Sequence, residues 1–108
     1  MAQSPRTFFA NVSASQTDSS LVSAVTEKAI RVVSLFMVSG ATATNVTFNS
    51  KPSGSGSAIT ALIADGANGG LVLPYNPDGW FDTTPGEGLS VTTGTGSTTG
   101  ITGKYVTI

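Results

Sequence analysis

The sequence predicts an all-β fold: an antiparallel, jelly-roll-like β-sandwich over residues 21–108, preceded by an extended N-terminal arm, residues 1–20. Three observations carry this. Short apolar runs alternate with polar residues, the two-residue period of a half-buried strand. The runs recur about every 8–12 residues, the rhythm of sandwiches and barrels. Between them stand clusters of Gly, Pro, Asn and Asp, which supply the special φ values and local side-chain bonds that turns require.

The arm, MAQSPRTFFANVSASQTDSS, is polar and weakly patterned apart from Phe8-Phe9. That pair either folds back onto the domain or docks on a neighbouring subunit. Residues 21–28, LVSAVTEK, stay open between a turn or two of helix and a strand, because Val and Thr favour strands. AIRVVSLFMVS, residues 29–39, is the strongest strand. Strict alternation puts Ile30, Val32, Ser34, Phe36 and Val38 on one face and Arg31, Val33, Leu35 and Met37 on the other. Both faces are mostly apolar, so the strand is central and covered on two sides, once by the domain's own core. A second subunit is a candidate for the other cover.

TNVTFNS, from Thr44 to Ser50, alternates Val46 and Phe48 with Asn45, Thr47 and Asn49 and has one wet face. KPSGSGS at 51–57 is a loop by composition, and AITALIA at 58–64 is the next strand. Asp65-Gly66 and Asn68-Gly69-Gly70 mark turns before the short strand LVLPY, which ends at or lies on an edge by Pro74 because proline cannot donate to a ladder. Asn76-Pro77-Asp78-Gly79 and TPGEG at 84–88 are further turns. LSVTT at 89–93 and ITGKYVTI at 101–108 read as a closing hairpin with GTGSTTG at its tip.

Composition removes many functions. The chain has 108 residues, a net charge of −1 and only 10% charged residues, against a usual ~25%. Such a surface is either coated with Ser and Thr or covered by other protein. Five scattered cations do not build a phosphate-tracking groove, so nucleic acid is not an expected partner. The chain has no Cys and no His, which removes disulfides, thiolate chemistry and the commonest general base and metal ligand. No apolar run of about 18 residues suggests a membrane span. The N-terminus has no continuous apolar stretch of the signal-peptide kind, so synthesis in the cytoplasm is expected. The sequons at Asn11 and Asn45 are then coincidental.

Candidate sites are few. Trp80 and Phe81 are adjacent, so on a strand they point to opposite faces and only one fills the core. The outward ring suits a partner, where Trp is a preferred anchor. Trp80→Ala is expected to weaken assembly more than it lowers the melting temperature of the single chain, as read by mass and by thermal scans. Asp78, Asp82 and Glu87 lie within ten residues, but their spacing matches no calcium loop and turns favour Asp anyway. No metal or other cofactor is expected. GTGSTTG lacks the following Lys-Ser/Thr of a phosphate loop. An enzyme is not expected.

The stretch ANGGLVLPYNPDGWFDTTPGEGLSV, from Ala67 to Val91, resembles a group of small phage virion proteins. Their shared pattern is met here by Ala67, Asn68, Gly69, Gly70, Pro74, Tyr75, Asn76, Pro77, Gly79, Trp80, Phe81, Thr83, Gly86, Glu87 and Leu89. The resemblance runs from about Ile30 to the C-terminus and leaves residues 1–28 outside. It implies a capsid decoration, or cement, protein: a β-sandwich homotrimer on the outer shell that clamps the major capsid protein. Phe8, Phe9, Tyr75, Trp80 and Phe81 are the expected interface residues. Two alternatives are a head-fibre or tail component and a carbohydrate-binding module.

Overall fold

The computed structural model describes residues 4–108. The described residues form β1 (Arg6–Val12), β2 (Ser19–Val22), β3 (Ile30–Ser39), β4 (Thr44–Lys51), β5 (Ser57–Ala58), β6 (Ile63–Asp65), β7 (Gly70–Leu73), β8 (Phe81–Asp82), β9 (Gly88–Thr93) and β10 (Thr99–Thr107), with no helix among them. Every strand pairing is antiparallel. The first sheet runs β1-β10-β3-β7, with β8 also paired to β3. The second runs β2-β9-β4-β5, with β6 also paired to β4. Since β7 and β8 lie along one flank of β3, and β5 and β6 along one flank of β4, each pair is one interrupted strand. The strand order is then that of a jelly roll, in which every connection except β4 to β5 crosses between the sheets.

The core lies between the sheets. Phe8, Val12, Val32, Leu35, Met37 and Ile101 from the first meet Val22, Val46, Phe48, Leu89 and Val91 from the second. Alternation explains most of these, as in β4, where Val46 and Phe48 are buried and Asn45 is exposed. β7 stops at Leu73, just before Pro74, as its missing N–H requires.

Four expectations need correction. The boundary between residues 20 and 21 does not separate an arm from the sandwich. Arg6–Val12 pairs along its whole length with β10, and Ser19–Val22 pairs with β9. Phe8, Ala10 and Val12 share the inward face of β1; the outward Phe9 hid that alternation. Residues 1–3 of the expected arm lie outside the described residues.

AITALIA is not one strand. The chain leaves the β4 ladder after Ala58 and rejoins it at Ile63, and the Thr60 hydroxyl accepts from the Phe48 N–H at 3.1 Å in place of a ladder carbonyl. Nor do β9 and β10 form a hairpin. β9 lies between β2 and β4, while β10 lies between β1 and β3, so GTGSTTG carries the chain from one sheet to the other.

The fourth correction positions the candidate site. Across β3 and β10 the register jumps from Val32↔Tyr105 to Ser34↔Lys104, leaving Val33 as an extra, bulged residue. A bulge inserts one residue into one strand and so reverses the alternation beyond it. Ile30 and Val32 face inward before the bulge, whereas Leu35, Met37 and Ser39 do so after it. Phe36 and Val38, expected to share a face with Ile30, instead point outward and are 54% and 53% exposed.

Candidate functional site

The outward side chains of the first sheet form a surface. Register places Phe9 opposite Thr102, Thr102 opposite Phe36, and Phe36 opposite Val72. Directly opposite residues sit about 4.5–5.5 Å apart on one face. These four side chains therefore form a single row across β1, β10, β3 and β7. Phe9 is 76% and Val72 73% exposed. The neighbouring row holds Val38 between Gly100 and Gly70, with Asn11 beyond Gly100. With no side chains on the two glycines, Val38 stands proud of its surroundings.

Trp80 extends the surface at one corner. Its backbone N–H donates to the Val32 carbonyl at 2.8 Å, and the Asn76 N–H donates to the Val33 carbonyl at 2.8 Å, so the 74–80 turn partners the bulge. The indole N–H donates to the Pro74 carbonyl at 2.8 Å. Phe81 points inward, so Trp80 points outward and remains partly exposed. Tyr75, in the same turn, is exposed.

Of the expected interface residues, Phe9, Tyr75 and Trp80 therefore lie on the surface. Phe8 and Phe81 do not serve as exposed anchors. The Phe8 ring lies in the core beside Tyr105, centroids 6.2 Å apart, and over Gly103. A Cβ at Gly103 would stand 2.7 Å from the Phe8 ring. Phe81 is opposite Val32, a core residue, and stacks at 5.2 Å on the buried Phe48. Phe36, Val38 and Val72 are surface residues that the strand pattern misassigned or passed over. The signal available was the second apolar face of β3 for Phe36 and Val38, and the unbroken apolar run Leu71-Val72-Leu73 for Val72.

The motif-bearing segment is used mainly for turns and tethers. Gly79 has φ +80° and lies against the Arg31 side chain, where a Cβ would collide. The Asn76 side chain accepts from the Asp78 N–H at 3.0 Å. Glu87 accepts the Ser50 hydroxyl at 2.6 Å, and that hydroxyl accepts the Thr84 N–H at 2.9 Å, pinning the 84–87 turn to β4. Asp82 pairs through both carboxylate oxygens with Arg31, at 2.9 and 3.0 Å. That hydrogen bond, above all, raises the Arg31 pKa further above its ordinary value. Asp82 and Glu87 thus have separate partners, while Asp78 adds its charge near Arg31. Among the described residues no group of three or more His, Cys, Asp or Glu side chains is placed to hold a metal ion.

The outer face of the second sheet is polar and internally bonded. The Asp18 carboxylate accepts Asn49 Nδ2 at 3.1 Å, the Ser90 hydroxyl at 3.2 Å and the Gly56 N–H at 3.0 Å. The Thr92 hydroxyl accepts the Asp18 N–H at 3.2 Å and Asn49 Nδ2 at 2.8 Å. This network ties the 52–56 loop down onto β4 and β9, and it explains why Asn49 and Ser90 are buried although they face away from the core. In comparisons with known proteins, the chain matches no family model and no curated protein.

Proposed function

We propose that this chain is a virion structural protein, a capsid decoration protein that binds the major capsid protein on the outer shell and stabilises it. It works by surface contact rather than by a reacting group, and it is made in the host cytoplasm before joining the particle. The observation that carries this reading is a jelly roll with only 10% charged residues whose first sheet leaves an apolar outer face, suited to contact between protein subunits, copies of itself included, rather than to a reacting group. The exposed side chains of that face amount to on the order of 500 Å², near the top of the range for the largest patch on a soluble monomer, and such patches are often functional. The motif resemblance from Ile30 onward supports the same reading.

One chain of this size offers little area for a tight clamp, since a specific interface takes about 800 Å² from each partner. A homotrimer engaging several capsid subunits at once gains by effective concentration what one contact lacks. The test is copy number. Quantitative mass spectrometry of purified virions should find the chain in proportion to the capsid subunits, and shells stripped of it should rebind it and resist heat better. A few copies per particle would instead assign it to a fibre or tail, and absence from the particle would end the proposal.

A further inference from the structure

We infer that the outer face of the first sheet, centred on Phe9, Phe36, Val38 and Val72, is covered by a second copy of this chain. The inference rests on the oligomeric part of the proposed function and names the surface responsible.

The argument for a second copy begins with charge. The outward positions in and beside the apolar row are Thr7, Asn11, Gly100, Thr102, Lys104, Ser34 and Gly70, of which Lys104 alone is charged; beyond Lys104 and Ser34 on the same face stands the Arg31–Asp82 ion pair. Lys104, beside the row on β10, donates to the Thr7 hydroxyl at 3.2 Å. The charges of the face are thus one lysine already bonded to a neighbour and an Arg31–Asp82 pair closed on itself, which offer a different partner little electrostatic complement by which to be steered or selected. Such a face also costs little to desolvate. Interfaces between copies of one chain are the more apolar class, whereas interfaces between proteins that meet later are about as polar as the rest of the surface.

Area supports the same occupant. The apolar side chains give on the order of 500 Å². The polar residues between and beside them bring the face towards the ~800 Å² per partner of a stable contact. A further consideration is exposure before assembly. Phe9 lies on β1, a strand at the sheet edge whose other flank pairs with no strand among the described residues. An apolar edge left open invites indiscriminate pairing, and another copy is the partner present wherever this chain is made.

The experiment measures solution mass, by sedimentation or light scattering, across micromolar concentrations for the full-length chain, Val72→Glu and Phe9→Glu. Both replaced side chains are about three-quarters exposed, so each variant should keep the thermal transition of a folded chain. The wild type should run as a multiple of the 10.9 kDa chain. Each glutamate should weaken association by about 100-fold or more, as burying an unpaired charge at an interface centre does. If a glutamate variant fails to fold, Val72→Ser and Phe9→Ser read the same contact with a smaller expected loss of about 10-fold.

A wild-type mass of three chains, lost in the variants, supports the inference and the trimer together. Two chains, lost in the variants, support the inference but replace the trimer with a face-to-face dimer. A wild-type single chain overturns the inference, as does an oligomer that folded variants leave intact. Rebinding to stripped shells is scored separately. A single-chain wild type whose shell binding is lost in Val72→Glu sinks self-association and keeps decoration. An oligomer dissolved by the variants that never binds shells does the reverse.

Discussion

The two outer faces of the sandwich solve the same problem in opposite ways. On the second sheet, Asn49, Ser90 and Thr92 point away from the core, yet Asn49 and Ser90 are buried because Asp18 and the 52–56 loop close over them. On the first sheet, Phe9, Phe36, Val38 and Val72 point away from the core, and nothing among the described residues closes over them. One face is finished by the polypeptide itself, at the entropic cost of ordering a loop. The other stays open, and it is the face proposed above for assembly. The difference teaches where folding energy ends and assembly begins: side chains on the finished face should matter to the melting of a single chain, and those on the open face should not.

The sharpest contrast sits within β1, where Phe8 and Phe9 are neighbours with opposite fates. Phe8→Ala removes a buried ring lying over Gly103 and should destabilise the chain by about 3–5 kcal/mol, the usual cost of a large core truncation. Chemical denaturation of the variant reads this directly. Gly103→Val should act in the same direction, because its Cβ would meet both the Phe8 ring at 2.7 Å and the Ser34 carbonyl at 2.6 Å. A loss below about 1 kcal/mol for Phe8→Ala would show that β1 contributes little to the sandwich, and that the edge from Arg6 to Val12 behaves as an arm after all.

Asp18→Ala tests whether the second face is indeed finished from within. It would leave the Gly56 N–H, the Ser90 hydroxyl and one proton of the Asn49 amide without their acceptor. Losing a partly buried acceptor of this kind costs about 1–3 kcal/mol. Asp18→Asn keeps one oxygen acceptor and should cost less. Equal stability of wild type and Asp18→Ala in a thermal scan would mean that the loop rests on the sheet without anchoring it.

Much of this architecture is legible in the sequence, and the failures have identifiable causes. Short apolar runs and the period of two find β3, β4, β7, β9 and β10, because each turns apolar residues towards one core. The period misplaces Phe36 and Val38 because a bulge leaves no mark in hydrophobicity: Val32, Val33 and Leu35 read equally well with or without an extra residue. It also misses the partners of β9 and β10, since alternation reports a face and never a neighbour. Loop length is the only local clue, and the GTGSTTG link serves a hairpin or a crossing equally well. Trp80 and Phe81 illustrate the middle ground. Opposite faces follow from adjacency alone, but only the register to Val32 says that Phe81 is the one turned inward. The Asp18 network had no legible signal beyond a residue type common in turns, because its partners are 31, 38 and 72 positions away.

The smallest effect expected on folding is the most informative about the open face. Phe9→Ser removes a ring that is 76% exposed and leaves the backbone pairing with Thr102 in place. Measured where the chain is dilute enough to be single, its stability should stay within about 0.5 kcal/mol of wild type, as for surface changes away from special features. Measured at concentrations where copies associate, the same substitution should lower the midpoint, because association stabilises only the folded form and its contribution grows with concentration. The discriminating quantity is therefore the slope of melting temperature against protein concentration, steep for wild type and shallow for Phe9→Ser. Parallel slopes would place the association surface elsewhere. A large loss at high dilution would mean that Phe9 already belongs to the fold and that the two faces differ less than their exposure suggests.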